Sequence, residues 1–523
     1  MAQFALEGTR KAMYAGSWYE ADGERLRGQI REFLARATPA VDEQAAALLT
    51  GQNPPVESPI LAVIVPHAGY IFSGQAAAYA YKAAQGQNVM RIFLLGPSHH
   101  VGFHGAALPA TLNFATPLGD LEVDEAVVAE LKEYPLFSRM PEVHRVEHSL
   151  EMQLPFVREV FGEVKIVPIV VGALSDDSDV RLLAEILKGY ICRTDLVVVS
   201  SDFTHYGPRY QYRPFRENMR ENIRKLDSQA FRYLSECDLS GFARFERETK
   251  DTICGFFPCS VLAALLPEGA KGTLLKYYTS QDTLGEDSEN SVSYLAVGFS
   301  GATWPEKPQG RFSAAEAIKL SKTDRDELLK LARATVESYV REKKAPELED
   351  VGVTISPSMK QLLGVFVTLN KQVPQAEQLP ARFNPAVRDG KELRGCIGYI
   401  WPLKPLYQAV IDNAISACSR DHRFQPVATD ELEDIWIEIS VLTPPRRVAS
   451  YDEIVLGRDG IVLFKDAHQA VFLPFVATEF GWSLAETLTQ LSRKAGLAPD
   501  DWREDAKFDV FQAEVFHEPA PAP

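Results

Sequence analysis

Histidines in the first part of the chain follow three apolar, strand-like runs. His67 comes after ILAVIV, His99 and His100 come after RIFLL, and Asp202 and His205 come after LVVVS. Ligand sites in open α/β sheets form just beyond the carboxyl ends of the strands. We therefore expect three strands to deliver imidazoles to one edge of a sheet.

A thiol is placed to join these imidazoles. Cys254 lies in DTICGFFP, where its side chain can reach the same cleft. Neutral imidazole and thiolate suit iron, zinc or copper, whereas magnesium and calcium prefer oxygen ligands. A site of two histidines and one cysteine with an open position could activate water on zinc, bind dioxygen or substrate on ferrous iron, or cycle copper. Donor type alone leaves these three open.

Further polar side chains accompany the same elements. His148 and Glu151 lie three residues apart in EHSLE, so one helix face can carry both to a substrate or to a ligand imidazole. Helix capping by Glu147 and Glu151 is an equally simple explanation. We expect Asp202 to orient an imidazole and His205 to transfer a proton. His148 is a further candidate for catalysis, and Glu151 and His100 are candidates for substrate contact.

A serine hydrolase is disfavoured. Ser200 and Ser201 precede Asp202 and His205, but the chain has no G-x-S-x-G sequence, and these serines precede a loop rather than a strand-to-helix turn.

The strands and helices around these residues are predicted within residues 1–300. There, β-rich apolar runs alternate with amphipathic helical stretches, which predicts an α/β domain with a mostly parallel sheet and flanking helices. Residues 301–321 are rich in proline and glycine at their start and are predicted to form a linker. A second domain is expected over 322–518, where Thr323 and Asp326 resemble a capping box before a helical apolar stripe. Residues 519–523 form a proline-rich tail.

Composition narrows the classes of partner. The 523 residues are enough for two to four domains, and 55 basic against 71 acidic side chains give a net charge of −16. This charge disfavours nucleic acid or an anionic membrane as the main partner. No 18-residue apolar stretch and no secretory h-region are present, so we expect a cytoplasmic protein with reduced cysteines.

Ordered motifs in the first 300 residues resemble the Memo family. They are AGSWY, PHAGY, LGPSHH, EHSLEMQLPF, SSDFTH and TICG. The resemblance implies a fold related to class III, LigB-like extradiol dioxygenases and a non-haem iron-type site. Its ligands would be His67, His99 and Cys254, with Asp202 and His205 lining the cleft. In the extradiol enzymes the third ligand is a carboxylate, so Cys254 makes reductive or copper-type redox chemistry comparably plausible.

The second part of the chain resembles the AMMECR family through LRGCIGYI, SRDHRF, WIEISVLTPP, FLPFVA and KAGL. The resemblance implies an α+β domain with a groove near the LRGCIG segment. Arg394 could bind a carboxylate or phosphate there, and Cys396 is either a nucleophile or a small buried residue beside a bend. Two positions depart from the family: His422 stands for proline and Phe475 for glutamine.

Three charged residues of the second part can be explained by structural roles alone. Asp421 and Arg423 could form a structural ion pair, and Glu438 could face solvent by strand alternation.

These expectations give one leading hypothesis and two alternatives. The leading hypothesis is an iron-dependent oxidoreductase or dioxygenase-like protein, with copper and zinc as alternative metals, acting on a small-molecule or peptidyl substrate. Relatives of both families commonly accompany a radical-SAM enzyme, which implies a place in the AmmeMemoRadiSam system with that enzyme as partner. The alternatives are a non-catalytic peptide- or ligand-binding adaptor using the same cleft, and a zinc metallohydrolase.

Overall fold

The chain packs as two compact units, Met1–Arg311 and Phe312–Pro523, in a computed structural model. The structure describes residues 6–37, 59–134, 136–174, 177–285, 288–308, 318, 320–372, 387–388, 391–402, 404–421, 423–465 and 468–519. His422 and residues 520–523 of the predicted tail therefore lie outside the described residues. Among the described residues, no helix is both long and apolar enough to cross a membrane.

Twelve short and long strands are found in the described part of the first unit. They are β1 (Thr9–Arg10), β2 (Ala62–Val65), β3 (Arg91–Pro97), β4 (Ala106–Leu108), β5 (Asn113–Phe114), β6 (Leu121–Glu122), β7 (Phe137–Arg139), β8 (Lys165–Val171), β9 (Asp195–Ser200), β10 (His205–Tyr206), β11 (Lys271–Thr279) and β12 (Ser291–Ser300).

Helices of the first unit alternate with these strands. They are α1 (Gly23–Arg36), α2 (Tyr70–Ala84), α3 (Glu125–Leu131), α4 (Pro141–Val146), α5 (His148–Glu151), α6 (Leu154–Phe161), α7 (Asp177–Lys188), α8 (Met219–Ser235), α9 (Leu239–Thr249), α10 (Phe256–Leu265) and α11 (Ser280–Leu284).

A nine-stranded sheet forms the centre of this unit. Its order is β10-β12-β2-β9-β3-β8-β4-β7, with β11 paired to β12. The middle strands β2, β9, β3 and β8 are parallel, and antiparallel pairs flank them. Every residue of β2 and β9 is buried, as continuous apolar strands require when both sheet faces are covered. The predicted α/β fold is confirmed.

The second unit contains two antiparallel sheets. Its strands are β13 (Gly364–Gln372), β14 (Val387–Arg388), β15 (Lys391–Tyr399), β16 (Ile435–Leu442), β17 (Arg446–Val448), β18 (Gly460–Lys465), β19 (His468–Phe472), β20 (Lys507–Phe511) and β21 (Ala513–His517). The sheet orders are β14-β15-β13-β16-β21 and β17-β20-β18-β19. Its helices are α12 (Lys322–Glu342), α13 (Leu348–Val351), α14 (Leu406–Ser419), α15 (Pro474–Phe480) and α16 (Leu484–Lys494).

The predicted α+β fold of this unit is confirmed, and one detail of its start is corrected. Helix α12 begins with a capping box of Ser321 and Asp324, two residues before the predicted pair of Thr323 and Asp326. The buried stripe of α12 and the buried face of α14 pack on one face of the five-stranded sheet. A separate core lies between the four-stranded sheet and α16.

The start of the predicted linker packs against the first unit. Trp304 is buried, and its indole N–H donates to the Leu61 carbonyl at 3.3 Å. The Arg193 amide donates to the Pro305 carbonyl at 2.8 Å. Residues 309–317 and 319 of this linker lie outside the described residues, and its predicted limits stay a prediction.

Candidate metal centre

Two imidazoles and one carboxylate lie at the same end of three adjacent strands. His67 lies two residues beyond β2, His99 two residues beyond β3, and Asp202 two residues beyond β9. Strands β2, β9 and β3 are consecutive in the sheet and run parallel. The structure thus brings these side chains to one sheet edge, as the strand pattern predicts.

Hydrogen bonds around Ser200 fix the tautomer of His67. The Ser200 hydroxyl donates to the Ser149 carbonyl at 2.7 Å, and its oxygen accepts from the Gln153 amide at 2.9 Å. His67 Nδ1 lies 2.9 Å from the same oxygen. Since the single hydroxyl proton is already used, Nδ1 must be the protonated nitrogen that donates to Ser200. The lone pair of His67 Nε2 therefore faces Cys254 Sγ, 3.1 Å away. Burial lowers the pKa of His67, which keeps the ring neutral.

Glu147 orients His99 in the same way. One Glu147 oxygen accepts from His99 Nδ1 at 2.8 Å, and the other accepts from the His99 amide at 2.7 Å. The carboxylate also accepts from the Ser149 amide at 2.9 Å and so caps α5. Burial alone would raise the pKa of Glu147. The hydrogen bonds outweigh it and hold this pKa well below its usual range, and the bond to the His99 ring has the largest lowering effect. Nε2 of His99 is left to serve as a ligand.

Cys254 completes this cluster from the loop before α10. Its Sγ lies 3.1 Å from His67 Nε2, and the Asp202 amide donates to the sulfur at 3.2 Å. The thiol has a single S–H proton, which can be donated to this nitrogen or to the Asp202 carbonyl at 3.3 Å. Burial raises the pKa of Cys254 well above its usual range, so the thiol is neutral in the absence of a cation. An added Cβ at Gly255 would lie 2.4 Å from the Ser201 side chain, so glycine allows this close approach.

The donor set fits a transition metal. One potential ligand atom from each of His67, His99 and Cys254 lies within 4.8 Å of the other two. Four ligands at 2.0 to 2.3 Å from a tetrahedral metal are about 3.3 to 3.8 Å apart. The separations in the structure, from 3.1 Å to at most 4.8 Å, bracket this range. Two imidazole nitrogens and one sulfur suit iron, copper or zinc.

Comparison with known proteins places the first unit. The family model described as Memo-like protein matches residues 10–298. The chain belongs to the Memo family. Protein MEMO1 of Xenopus laevis is 35% identical over 303 residues, which are 55% of this chain and 96% of that protein. Protein MEMO1 of Homo sapiens is 34% identical with the same coverage.

The AMMECR1 family model matches residues 329–516, so the chain joins a Memo unit to an AMMECR1 unit. The crystal structure of an uncharacterized protein from Pyrococcus horikoshii, PH0010, is 36% identical to this chain. It aligns with a TM-score of 0.33 and covers 38% of this chain and 92% of that protein.

His205 lies beside the cluster of His67, His99 and Cys254. Its Nδ1 lies 3.0 Å from the Thr252 carbonyl, which can only accept, so Nδ1 carries the proton. Burial lowers the pKa of His205, although Asp202 opposes this shift. The neutral ring keeps an unprotonated Nε2, as a proton acceptor requires. We predicted that Asp202 orients an imidazole, but its Oδ1 accepts from the His67 backbone amide at 2.8 Å instead.

His148 and His100 extend the histidine cluster outward. The His148 ring stacks on His99 with centroids 4.2 Å apart and lies 4.6 Å from the Trp18 ring. Burial lowers the pKa of His148 to about 2, and its buried Nδ1 has no hydrogen-bond partner among the described residues. His100 is exposed, with Nε2 3.3 Å from the Tyr14 hydroxyl. His148 thus packs against His99, and His100 lies at the surface beside it; their predicted roles in catalysis and substrate contact stay predictions.

Glu151 does not reach the cleft. It is 1% exposed, and its carboxylate accepts from Arg10, from the Met13 and Tyr14 amides and from the Tyr19 hydroxyl. The predicted substrate contact of Glu151 is not supported by this placement, because its oxygens hold the N-terminal segment. Glu151 therefore contacts the N-terminal segment, whereas His148 contacts His99 and Trp18.

Arg394 in the AMMECR1 unit is already hydrogen-bonded to other residues of that unit. Its guanidinium makes two bonds of 2.8 Å to the Glu431 carboxylate and a third to the Gln425 carbonyl at 2.9 Å. This pairing leaves no support for the predicted anion site at Arg394. The LRGCIG segment is part of strand β15. An added Cβ at Gly395 would lie 2.2 Å from the Ala417 carbonyl, so close packing on α14 requires this glycine.

Sequence patterns missed the residues that orient the ligands. Ser200, Gln153 and Thr252 were not predicted to act on the imidazoles, and Glu147 was weighed only as a helix cap. Ser200 could have been singled out, because it ends an apolar, strand-like run two residues before Asp202. The others are brought in by tertiary contacts that no local pattern contains.

Proposed function

We propose that the Memo unit is a metal-dependent oxidoreductase that binds one iron ion through His67, His99 and Cys254. The observation that carries this proposal is the pair of hydrogen bonds at His67 Nδ1 and His99 Nδ1. Both imidazoles commit Nδ1–H to a fixed acceptor, which leaves each Nε2 lone pair available beside a thiol. Ligating histidines in metal sites have this orientation.

The residues around the cluster suit proton handling. A bound ferrous ion would supply an open coordination position and one-electron chemistry to the substrate or to dioxygen. Binding a cation requires the Cys254 proton to leave, since thiolate is the ligand form. His205 accepts a proton from the substrate at Nε2, while the Thr252 carbonyl holds the ring in position. The substrate is a small or peptidyl molecule that enters past His100 and Trp18.

Metal content and oxygen dependence test this proposal. We expect full-length protein purified without oxygen to carry about one equivalent of iron, and Cys254→Ser to lose it while remaining folded. Cys192→Ser is the matched control. Cys192 lies near Thr194, just before β9, whereas Asp202 follows the other end of this strand. This variant should leave the iron content unchanged.

Two results would replace this proposal with an alternative. Metal-free protein with unchanged affinity for a partner would support the adaptor. Zinc in the site, together with activity that is insensitive to oxygen and reductant, would support the metallohydrolase. Either result would contradict the iron-dependent oxidoreductase.

A further inference from the structure

A cavity of about 640 Å³ lies within the AMMECR1 unit. Val365, Val367 and Leu369 of β13 face the helices α12 and α14 in the core. Phe366, Thr368 and Asn370 alternate with them and therefore face the opposite side, where they line the cavity. The other walls come from β19, α15 and the end of α16. A cavity of this size accommodates a small organic molecule.

Polar side chains form a row across the floor of this cavity. Thr368 is paired with Cys396 on β15 and with Glu438 on β16. All three line the cavity. The Thr368 hydroxyl donates to Cys396 Sγ at 3.2 Å. Glu438 therefore lines the cavity floor. Strand alternation alone had predicted that it faces open solvent.

A lysine provides positive charge above this row. Nζ of Lys494 donates to the Val471 carbonyl at 2.9 Å, which uses one of its three N–H groups. It has no carboxylate partner within the part of the chain that the structure describes. Lys494 is an exposed residue, and partial loss of hydration at Nζ and then the charge of Arg423 lower its pKa. Arg423 itself is held by Asp421 through Nε at 2.9 Å and Nη2 at 2.6 Å. An anion beside Lys494 would stabilise its charged form.

Asn370 is a buried polar residue in the wall of this cavity. Its side chain is 5% exposed and lines the cavity. Among the described residues, its Nδ2 finds no hydrogen-bond acceptor. Solvent does not reach Nδ2, so a ligand oxygen could accept from it only after the Asn370 side chain turns toward the cavity.

We propose that this cavity binds a small molecule with an apolar body and a single carboxylate, which lies at Lys494 next to the Cys396 thiol. Phe472, Phe475 and Phe480 in the walls receive the apolar body. Glu438 in the same cavity repels a second negative charge, which favours a carboxylate over a phosphate dianion. This binding site is separate from the proposed metal site and does not depend on it.

Alkylation of Cys396 in the full chain tests the charge preference. Iodoacetate and iodoacetamide react with the same thiolate: sulfur displaces iodide, a C–S bond forms, and the thiol proton passes to solvent. Their rate ratio at one cysteine therefore cancels the pKa of that thiol and reports attraction of the carboxylate. Mass spectrometry of the Cys396 and Cys192 peptides gives both ratios. We expect the iodoacetate preference at Cys396 to exceed that at Cys192 about tenfold.

Two lysine variants and two competing compounds test whether the iodoacetate preference at Cys396 comes from this site or from the overall charge of the protein. Lys494→Met should reduce the ratio at Cys396 to that at Cys192 while leaving the iodoacetamide rate within about twofold, which also shows that the unit is folded. Lys322→Met, at a lysine whose side chain is 88% exposed, should change neither. We expect 4-phenylbutyrate to slow alkylation of Cys396, and the uncharged 4-phenylbutanamide to have no effect.

Four results would overturn the proposal. These are an unlabelled Cys396 in the native protein, equal ratios at the two cysteines, a ratio that survives Lys494→Met, and equal protection by the two phenylbutyl compounds.

Discussion

The buried ion pair between Arg10 and Glu151 gives the sharpest stability prediction. The two side chains are 5% and 0% exposed and meet at 2.6 Å. Glu151 Oε2 also accepts from the Met13 amide at 3.1 Å. Oε1 accepts from the Tyr14 amide at 2.8 Å and from the Tyr19 hydroxyl at 2.9 Å. Glu151→Gln keeps the shape of the side chain but replaces one of these two oxygens by an NH2 group.

The size of the effect follows from these four donors. After Glu151→Gln, two donors face an amide donor, and each unsatisfied buried group costs about 1 to 3 kcal/mol. Arg10 also loses its buried counter-charge, and breaking such a pair costs about 3 to 5 kcal/mol in total. We therefore expect the Memo unit to lose about 3 to 5 kcal/mol of unfolding free energy.

Hydrogen–deuterium exchange at increasing urea concentrations measures this loss separately in each unit. Exchange of the Met13 and Tyr14 amides should accelerate in Glu151→Gln even without urea. Asp326→Asn breaks an exposed pair with Lys322 and should change stability by less than about 0.5 kcal/mol. A loss below about 1 kcal/mol in Glu151→Gln, with both amides still protected, would refute the reasoning.

Three further predictions concern other parts of the structure. Glu147→Gln should weaken iron binding by about 10- to 100-fold in a chelator competition, because His99 loses its carboxylate acceptor; unchanged affinity would contradict this role. Burial lowers the pKa of His144 to about 4, so between about pH 6.5 and pH 4 the unfolded chain takes up this proton and the folded chain does not. Between pH 7 and pH 5, urea unfolding should therefore show a loss of stability about 2 kcal/mol larger in wild type than in His144→Gln, and equal losses would count against it. Gly395→Ala should destabilise the AMMECR1 unit by about 1 to 3 kcal/mol, because its Cβ would lie 2.2 Å from the Ala417 carbonyl; thermal unfolding at the wild-type temperature would exclude that clash.

The edge of the sheet where the site lies was predictable from the sequence. Apolar runs identify strands, and the carboxyl ends of parallel strands lie together, so His67 and His99 could be brought together by pattern alone. The fold class followed from the same alternation of strands and helices. Cys254 was harder to place by pattern, because it lies in a loop beyond α9, far along the chain from both histidines.

The partners of each polar group could not be read from local sequence. Arg394 has the chemistry of an anion-binding residue, but Glu431, 37 positions away, occupies it. Glu151 shares a short helix with His148, yet it faces the N-terminal segment. Glu438 alternates as an exposed strand residue would, but a second layer of the AMMECR1 unit covers that face. Each outcome depends on contacts between distant segments, which strand and helix periodicity does not encode.

Anomalous diffraction at the iron absorption edge would test the central claim most directly, on crystals of the full chain grown with ferrous iron and without oxygen. We expect one strong peak about 2.0 to 2.3 Å from His67 Nε2, His99 Nε2 and Cys254 Sγ. A peak elsewhere, a peak bonded to the histidines but not to the sulfur, or no peak in iron-loaded crystals would contradict a His2Cys iron site.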